Sequence, residues 1–121
     1  TDPLYRLKGE LRTLIAKSIS RNGYTKKSST YDILGCSYAE FYLHIENQFL
    51  DGMNWDNRSE WHLDHIVPLA LGESEEDILL LNHHTNIRPL WSIDNLKKGD
   101  SLTIESISHP IYEKLLQRKQ L

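Results

Sequence analysis

The sequence predicts an α+β fold in which two short strands and a following helix are flanked by helices on either side. Three observations carry this. Leu4, Leu7, Leu11, Leu14, Ile15 and Ile19 recur at helical spacing. Residues 61–67 and 86–90 are short apolar runs bounded by turn residues and proline, as strands are. Ser92 and Asp94 then stand where caps stand, before Asn95, Leu96, Lys97 and Lys98.

The elements follow in order. Asp2-Pro3 reads as an N-cap and a first-turn proline, so a helix should run over 3–19, with Arg6, Lys8, Arg12 and Lys17 largely off its apolar face. Gly9 weakens that helix without forbidding it. Arg21-Asn22-Gly23 ends it, and Lys26 to Thr30 reads as a polar, basic connection. Ser37 with Glu40 has the form of a capping box, and Phe41, Ile45 and Phe49 continue as a stripe, which predicts a helix over 38–50, stopped by Asp51-Gly52.

Asn54 to Arg58 is a turn, 61–67 the first strand, and Pro68 its end. Between the strands, Ser74 caps a helix over 75–82, and the acidic run Glu73, Glu75, Glu76, Asp77 reads as its solvated start. The second strand, 86–90, tolerates Pro89 at its end or at a bulge, and Ser92 or Asp94 caps the helix that carries Asn95. After His109-Pro110, Ile111, Tyr112, Leu115 and Leu116 predict a C-terminal helix that ends in Gln117 to Gln120. No repeat or linker divides the chain, so one domain over 1–121 is expected: a helical, basic part over 1–60, a core over 61–100 and a C-terminal helix within 101–121.

Composition bounds the function classes. An apolar content of 39% and a charged content of 26% are ordinary for a soluble globular chain. Cys36 is the one cysteine, which excludes an internal disulfide and a Cys-based structural zinc. No apolar run has the length of a membrane span and no signal-peptide pattern opens the chain, so no membrane partner and an intracellular site of action are expected. Position 1 is Thr, read as a processed or cut start. The net charge of −3 is unevenly spread: +5 over 1–30, −9 over 31–100 and +1 over 101–121. The basic first segment, with Arg6, Arg12, Lys26 and Lys27, offers a surface for a nucleic-acid backbone.

The stretch 61–100 carries the chemistry. Cleaving a phosphodiester takes a base to activate water, a cation to carry charge on the oxygens, and positive charge to hold the backbone. His65 suits the base, since an ordinary imidazole is partly neutral near pH 7. Asp64 and Asn95 are hard oxygen donors suited to one Mg2+ or Mn2+ with waters completing the shell. Arg88, Lys97 and Lys98 are candidates for phosphate contacts, and His62, on the pleat face of Asp64, for a supporting partner. Because neighbours on a strand point to opposite faces, Asp64 and His65 serve one phosphate only if it sits at the strand end.

Three words of this stretch, WHLDHI (61–66), HHTNIRPLW (83–91) and DNLKKGD (94–100), occur in the order found in a known family. They resemble the HNH endonucleases of the ββα-metal fold, in their phage-type and homing-type branch, and the similarity extends over roughly 33–100. The resemblance implies a β-hairpin and metal-binding helix as the core, with Asp64 and Asn95 as metal ligands and His65 as general base. Asn86 would be the central asparagine that braces the loop between the strands. His83 falls within the same words as a supporting residue. DNA would be cut to 5′-phosphate and 3′-hydroxyl ends, one strand per site, so that a double-strand break calls for a homodimer, a larger nuclease assembly or successive nicks. The cytoplasm of a bacterial or phage-infected cell is the setting that the branch implies. Asn95 stands where many members have His, and the two Cys-x-x-Cys pairs of many members are absent.

Two other readings use the same residues. His62, His65, His83 and His84 could build a non-catalytic zinc module for a nucleic-acid or protein contact. A degenerate HNH fold that keeps DNA binding within an assembly is the other. The intact set of Asp64, His65, Asn86 and Asn95 favours the nuclease.

Overall fold

The computed structural model describes residues 2–119. The architecture is α+β: helices α1 (Pro3–Ser20), α2 (Thr30–Leu34) and α3 (Tyr38–Glu46), strand β1 (Trp61–His65), helix α4 (Glu75–Leu81), strand β2 (Ile87–Trp91), then α5 (Ser92–Lys98), α6 (Ile104–Ser108) and α7 (Pro110–Lys119). The two strands pair antiparallel, with Trp61 opposite Trp91, Asp64 opposite Arg88 and His65 opposite Ile87. Among the described residues no helix is long and apolar enough to cross a membrane.

Helix α1 forms as its spacing predicts. The Asp2 side chain accepts from Leu4 N at 3.0 Å, Pro3 opens the first turn, and Leu7, Leu11, Ile15 and Ile19 are buried along one face. Each such side chain contributes about 1.5–3 kcal/mol when fully buried, which outweighs the roughly 1 kcal/mol that Gly9 costs relative to alanine in a helix interior. The stripe packs on Ile33 and Leu34 of α2, Phe41 and Ile45 of α3, and Trp61, Leu63, Ile78 and Ile87. Trp61 is fully buried, edge-on to Phe49 at 5.3 Å and to Trp55 at 5.5 Å. This aromatic wedge fixes the open end of the hairpin to the helical layer. A second, smaller cluster of Val67, Leu81, Ile111 and Leu115 ties α7 to the far side of α4.

Several elements depart from the sequence expectation. The basic connection ends in α2, capped by Ser29 and held by burial of Ile33 and Leu34 rather than by local propensity. Helix α3 stops at Glu46, because Asn47 caps it and Gln48 turns its amide back onto the His44 carbonyl at 3.0 Å. Strand β1 ends at His65 instead of 67, and β2 covers 87–91 because His84–Asn86 forms a 3-10 turn. Neither Ser92 nor Asp94 caps α5, which Trp91 precedes without a side-chain cap; the Ser92 hydroxyl is buried without a partner. The C-terminal segment is two helices, since Pro110 cannot continue α6, and the expected end at Gln120 lies outside the described residues. Asp77 is not a solvated helix start: it is buried, accepts from Glu73 N and takes Arg118 Nη1 at 2.9 Å.

Candidate active site at the end of the first strand

β1 ends at His65, so the strand geometry that separates Asp64 from His65 relaxes where both are needed. Asp64, His65 and Asn95 line one cavity of about 260 Å3, together with Leu63, Pro68, Leu69, Gly99 and Asp100. Asp64 comes from β1, across from Arg88 and on the same face of the sheet, His65 from the strand terminus, and Asn95 from the first turn of α5, which packs on both strands.

On one side the partners are neutral. His65 Nε2 lies 2.8 Å from Asn82 Oδ1, and the buried Asn82 amide donates to Ser18 Oγ at 2.7 Å and to Ile78 O at 3.1 Å. The Ser18 hydroxyl in turn donates to Ile15 O at 2.8 Å. With both amide protons spent on acceptors, Asn82 presents its oxygen to His65, so Nε2 carries the hydrogen and Nδ1 is the basic nitrogen. Burial pushes the imidazole below its ordinary value and nearby Lys98 adds to this, against the pull of Asn82 and Asp64 in the other direction. The neutral, proton-accepting form is therefore favoured.

On the other side the partners are charged. Asp64 is 5% exposed, and Lys98 Nζ, 6% exposed at the side chain, lies 2.9 and 3.1 Å from its two oxygens and 2.6 Å from His65 O. Arg88 Nε adds a bond of 3.1 Å to Asp64 Oδ2, and its Nη1 is pinned by Glu105. Lys98 and Arg88, expected as phosphate contacts, are here the counterions of the carboxylate. Such burial is sustained because each charge is paired.

Asn86 is fully buried and all of its amide is spent on the backbone: Oδ1 accepts from Val67 N at 2.8 Å, and Nδ2 donates to Val67 O at 3.0 Å and Leu81 O at 2.8 Å. It braces the loop after β1 against the end of α4. It is not among the residues that line the cavity, and its carbonyl accepts from Ile66 N at 2.9 Å, directly after His65. His62 meets Asn95, whose Nδ2 lies 2.8 Å from His62 Nδ1, which leaves the amide oxygen of Asn95 available as a donor atom.

Other expected residues lie elsewhere. His83 sits against Gly35, where a Cβ would come within 2.4 Å of its Nε2, and bonds Thr85 Oγ1; it lines a different cavity with Asp32 and Arg118. Arg12 bonds Tyr38 Oη at 3.3 Å, with Lys26 lining the same recess, Arg6 lines a third recess, and Lys27 is within 4.0 Å of Glu75. None of these four lines the cavity at His65. Lys97 is exposed on α5. His62, His65, His83 and His84 engage four different partners, Asn95, Asn82, Thr85 and the Leu34 carbonyl. Cys36 is buried, and that burial pushes its thiol up to about 11. Asn82, Ser18 and Glu105 complete the site without having been singled out: Asn82 reads in sequence as an ordinary helix stop.

Among the described residues no group of three or more His, Cys, Asp or Glu side chains could hold a metal ion. The Asp64 carboxylate and Asn95 amide oxygen are a hard two-donor set on one cavity, which fits Mg2+ or Mn2+, cations that keep several waters. The pair Asp64–Lys98 shows that a cation is already accommodated at the carboxylate.

No protein-family model and no solved structure matches this chain. Two uncharacterized proteins of Acanthamoeba polyphaga mimivirus are each 36% identical to it, over 110 and 109 residues. Each alignment covers 88% of this chain but 48% and 47% of the relative, so the chain spans about half the length of the curated relatives it matches.

Proposed function

We propose that the chain is a metal-dependent endonuclease of the HNH, ββα-metal type that hydrolyses DNA phosphodiester bonds, one strand per site. The observation that carries the reading is the convergence of Asp64, His65 and Asn95 on one cavity at the end of β1, with the proton of His65 fixed on Nε2 by Asn82. That leaves Nδ1 to take the proton of an attacking water. Asn86 holds the loop on which this geometry depends.

Asp64 and Asn95 would hold one Mg2+ or Mn2+, which when bound supplies positive charge to the non-bridging and leaving oxygens. Binding it requires Lys98 to give up Asp64, which frees an ammonium beside the phosphate. Arg88 stays anchored by Glu105 and keeps the carboxylate in place. The general base contributes about 10²–10⁴-fold. A double-strand break would take a second copy or a second nick.

The test is relaxation of supercoiled plasmid by wild type, Asp64→Ala and His65→Ala, each with EDTA, Mg2+ or Mn2+. Nicked circles from wild type alone, and only with a divalent ion, support the proposal. Cleavage in EDTA, or full activity in either variant, refutes it.

A further inference from the structure

The cavity at His65 opens onto a larger one. A groove of about 790 Å3 runs from His65, Leu69 and Asp100 along α1, past Leu14, Lys17 and Arg21. His65, Leu69 and Asp100 line both spaces, so a strand whose phosphate sat against Asp64 and Asn95 would continue into the groove. The volume falls in the range of clefts that take small organic ligands, roughly 300–1,000 Å3, the scale of a nucleotide and not of a stacked duplex.

Its lining is divided as a nucleotide is. Leu14, Leu69 and Ala70 supply apolar wall, while Lys17 and Arg21 stand exposed at the rim and, among the described residues, make no ion pair. Of the two carboxylates, Glu10 is turned onto Arg58 and Asp100 stands at the His65 end, away from that rim. Gly9 also lines the groove, and a Cβ built there meets nothing within 4 Å. A glycine retained in a helix interior, with open space before it, lets a ligand approach the backbone closely.

We propose that this groove seats one unstacked nucleotide beside the scissile phosphate, its base against Leu14, Leu69 and Ala70 and its outer phosphate on Lys17 and Arg21. Unpaired DNA is then the preferred substrate class. The inference rests on the nuclease reading of the site at His65. A base in a duplex must leave its stack to enter, whereas an unpaired one has little or no stacking to lose. Leu14, Leu69 and Ala70 offer a base no hydrogen bond, so contact with them does not depend on which base it is.

The test measures binding in EDTA, apart from cleavage, by fluorescence anisotropy of a labelled oligothymidine strand and of a fully paired hairpin of equal length. Gly9→Leu narrows the groove with a side chain that cannot stack on a base and removes the helix-interior glycine, so its melting temperature should equal or exceed that of wild type. Wild type is expected to prefer the strand, and Gly9→Leu to lose on the order of tenfold in affinity as the apolar contact of the base is shut out. Lys17→Ala with Arg21→Ala should flatten the slope of log affinity against log salt by about 0.7, the share of one phosphate on a single strand. Wild-type affinity in folded Gly9→Leu, a preference for the hairpin, or no binding to either overturns the proposal. Metal-dependent nicking that persists beside unaltered strand binding in these variants removes the groove and leaves the nuclease. Strand binding that Gly9→Leu weakens to that extent, with no cleavage under any metal, keeps the groove and removes the nuclease.

Discussion

The two neighbours at the end of β1 are held in opposite ways. His65 is fixed by a neutral relay through Asn82 and Ser18 to α1, in which every polar atom has one available role. Asp64 is held by Lys98 and Arg88, charged partners whose hold is electrostatic. The difference suits the two roles proposed for them. A base needs one tautomer and one orientation, whereas a metal ligand needs to release whatever neutralises it while the ion is absent.

The comparison breaks most visibly on the neutral side. Asn82→Ala strips the acceptor from His65 Nε2 and the donor from Ser18, and should cost about 1–3 kcal/mol of stability for the unmet buried groups. Cleavage by the protein that remains folded should fall about 10–100-fold, the loss typical when a group that orients an active-site histidine is removed. Single-turnover rates alongside chemical denaturation separate the two effects. A rate as high as wild type per folded molecule would mean that the relay does not orient the base.

The charged side should respond differently. Lys98→Met is expected to lower the melting temperature without metal, because Asp64 keeps only Arg88 as counterion. It should also tighten Mn2+ binding on the order of tenfold, equivalent to about 1.4 kcal/mol of lost competition. Titration calorimetry reads this directly, and Lys97→Met, on the exposed face of α5, should change neither quantity. Unchanged Mn2+ affinity in Lys98→Met would show that the ammonium does not occupy the cation's place.

A smaller effect sharpens the contrast from outside the site. Asp77 is buried, which on its own would raise its pKa, but hydrogen bonds from Glu73 N, Arg118 and Ser74 hold it below the ordinary 3.8. A carboxyl depressed in the folded state contributes stability that is complete above its unfolded value and is lost as pH falls through the folded one. Wild type should therefore lose its advantage in melting temperature over Asp77→Asn only in strong acid, below about pH 4. A constant difference between the two proteins across that window would contradict the assignment.

How much of this was legible in the sequence follows from the range of each interaction. The helical spacing from Leu4 to Ile19 and the cap at Asp2 are local, and α1 formed where they placed it. The strands were placed to within two residues, because Asn86 turns into a 3-10 turn to reach Val67 and Leu81. Helix α2 was missed because five residues carry little propensity of their own and are held by tertiary burial. Asp64, His65 and Asn95, nominated together from the sequence, line one cavity, while the roles given to them belong to the proposal. The engagement of Lys98 with Asp64 was not legible, since 34 positions separate them and nothing local tells a lysine facing phosphate from one facing a carboxylate. Gly9 shows the same limit: in sequence it is a flaw in a helix, and in the fold it faces open space in the groove at His65.

The central claim is that His65 is the base of a metal-dependent strand cleavage. It is tested most directly with an end-labelled DNA strand and Mg2+ or Mn2+, comparing wild type with His65→Ala after both are shown to be folded. The expected result is divalent-dependent cleavage by wild type to 5′-phosphate and 3′-hydroxyl ends and a loss of about 10²–10⁴-fold in His65→Ala. Intact DNA after incubation with folded, metal-supplied wild type, or equal rates for the two proteins, would contradict it.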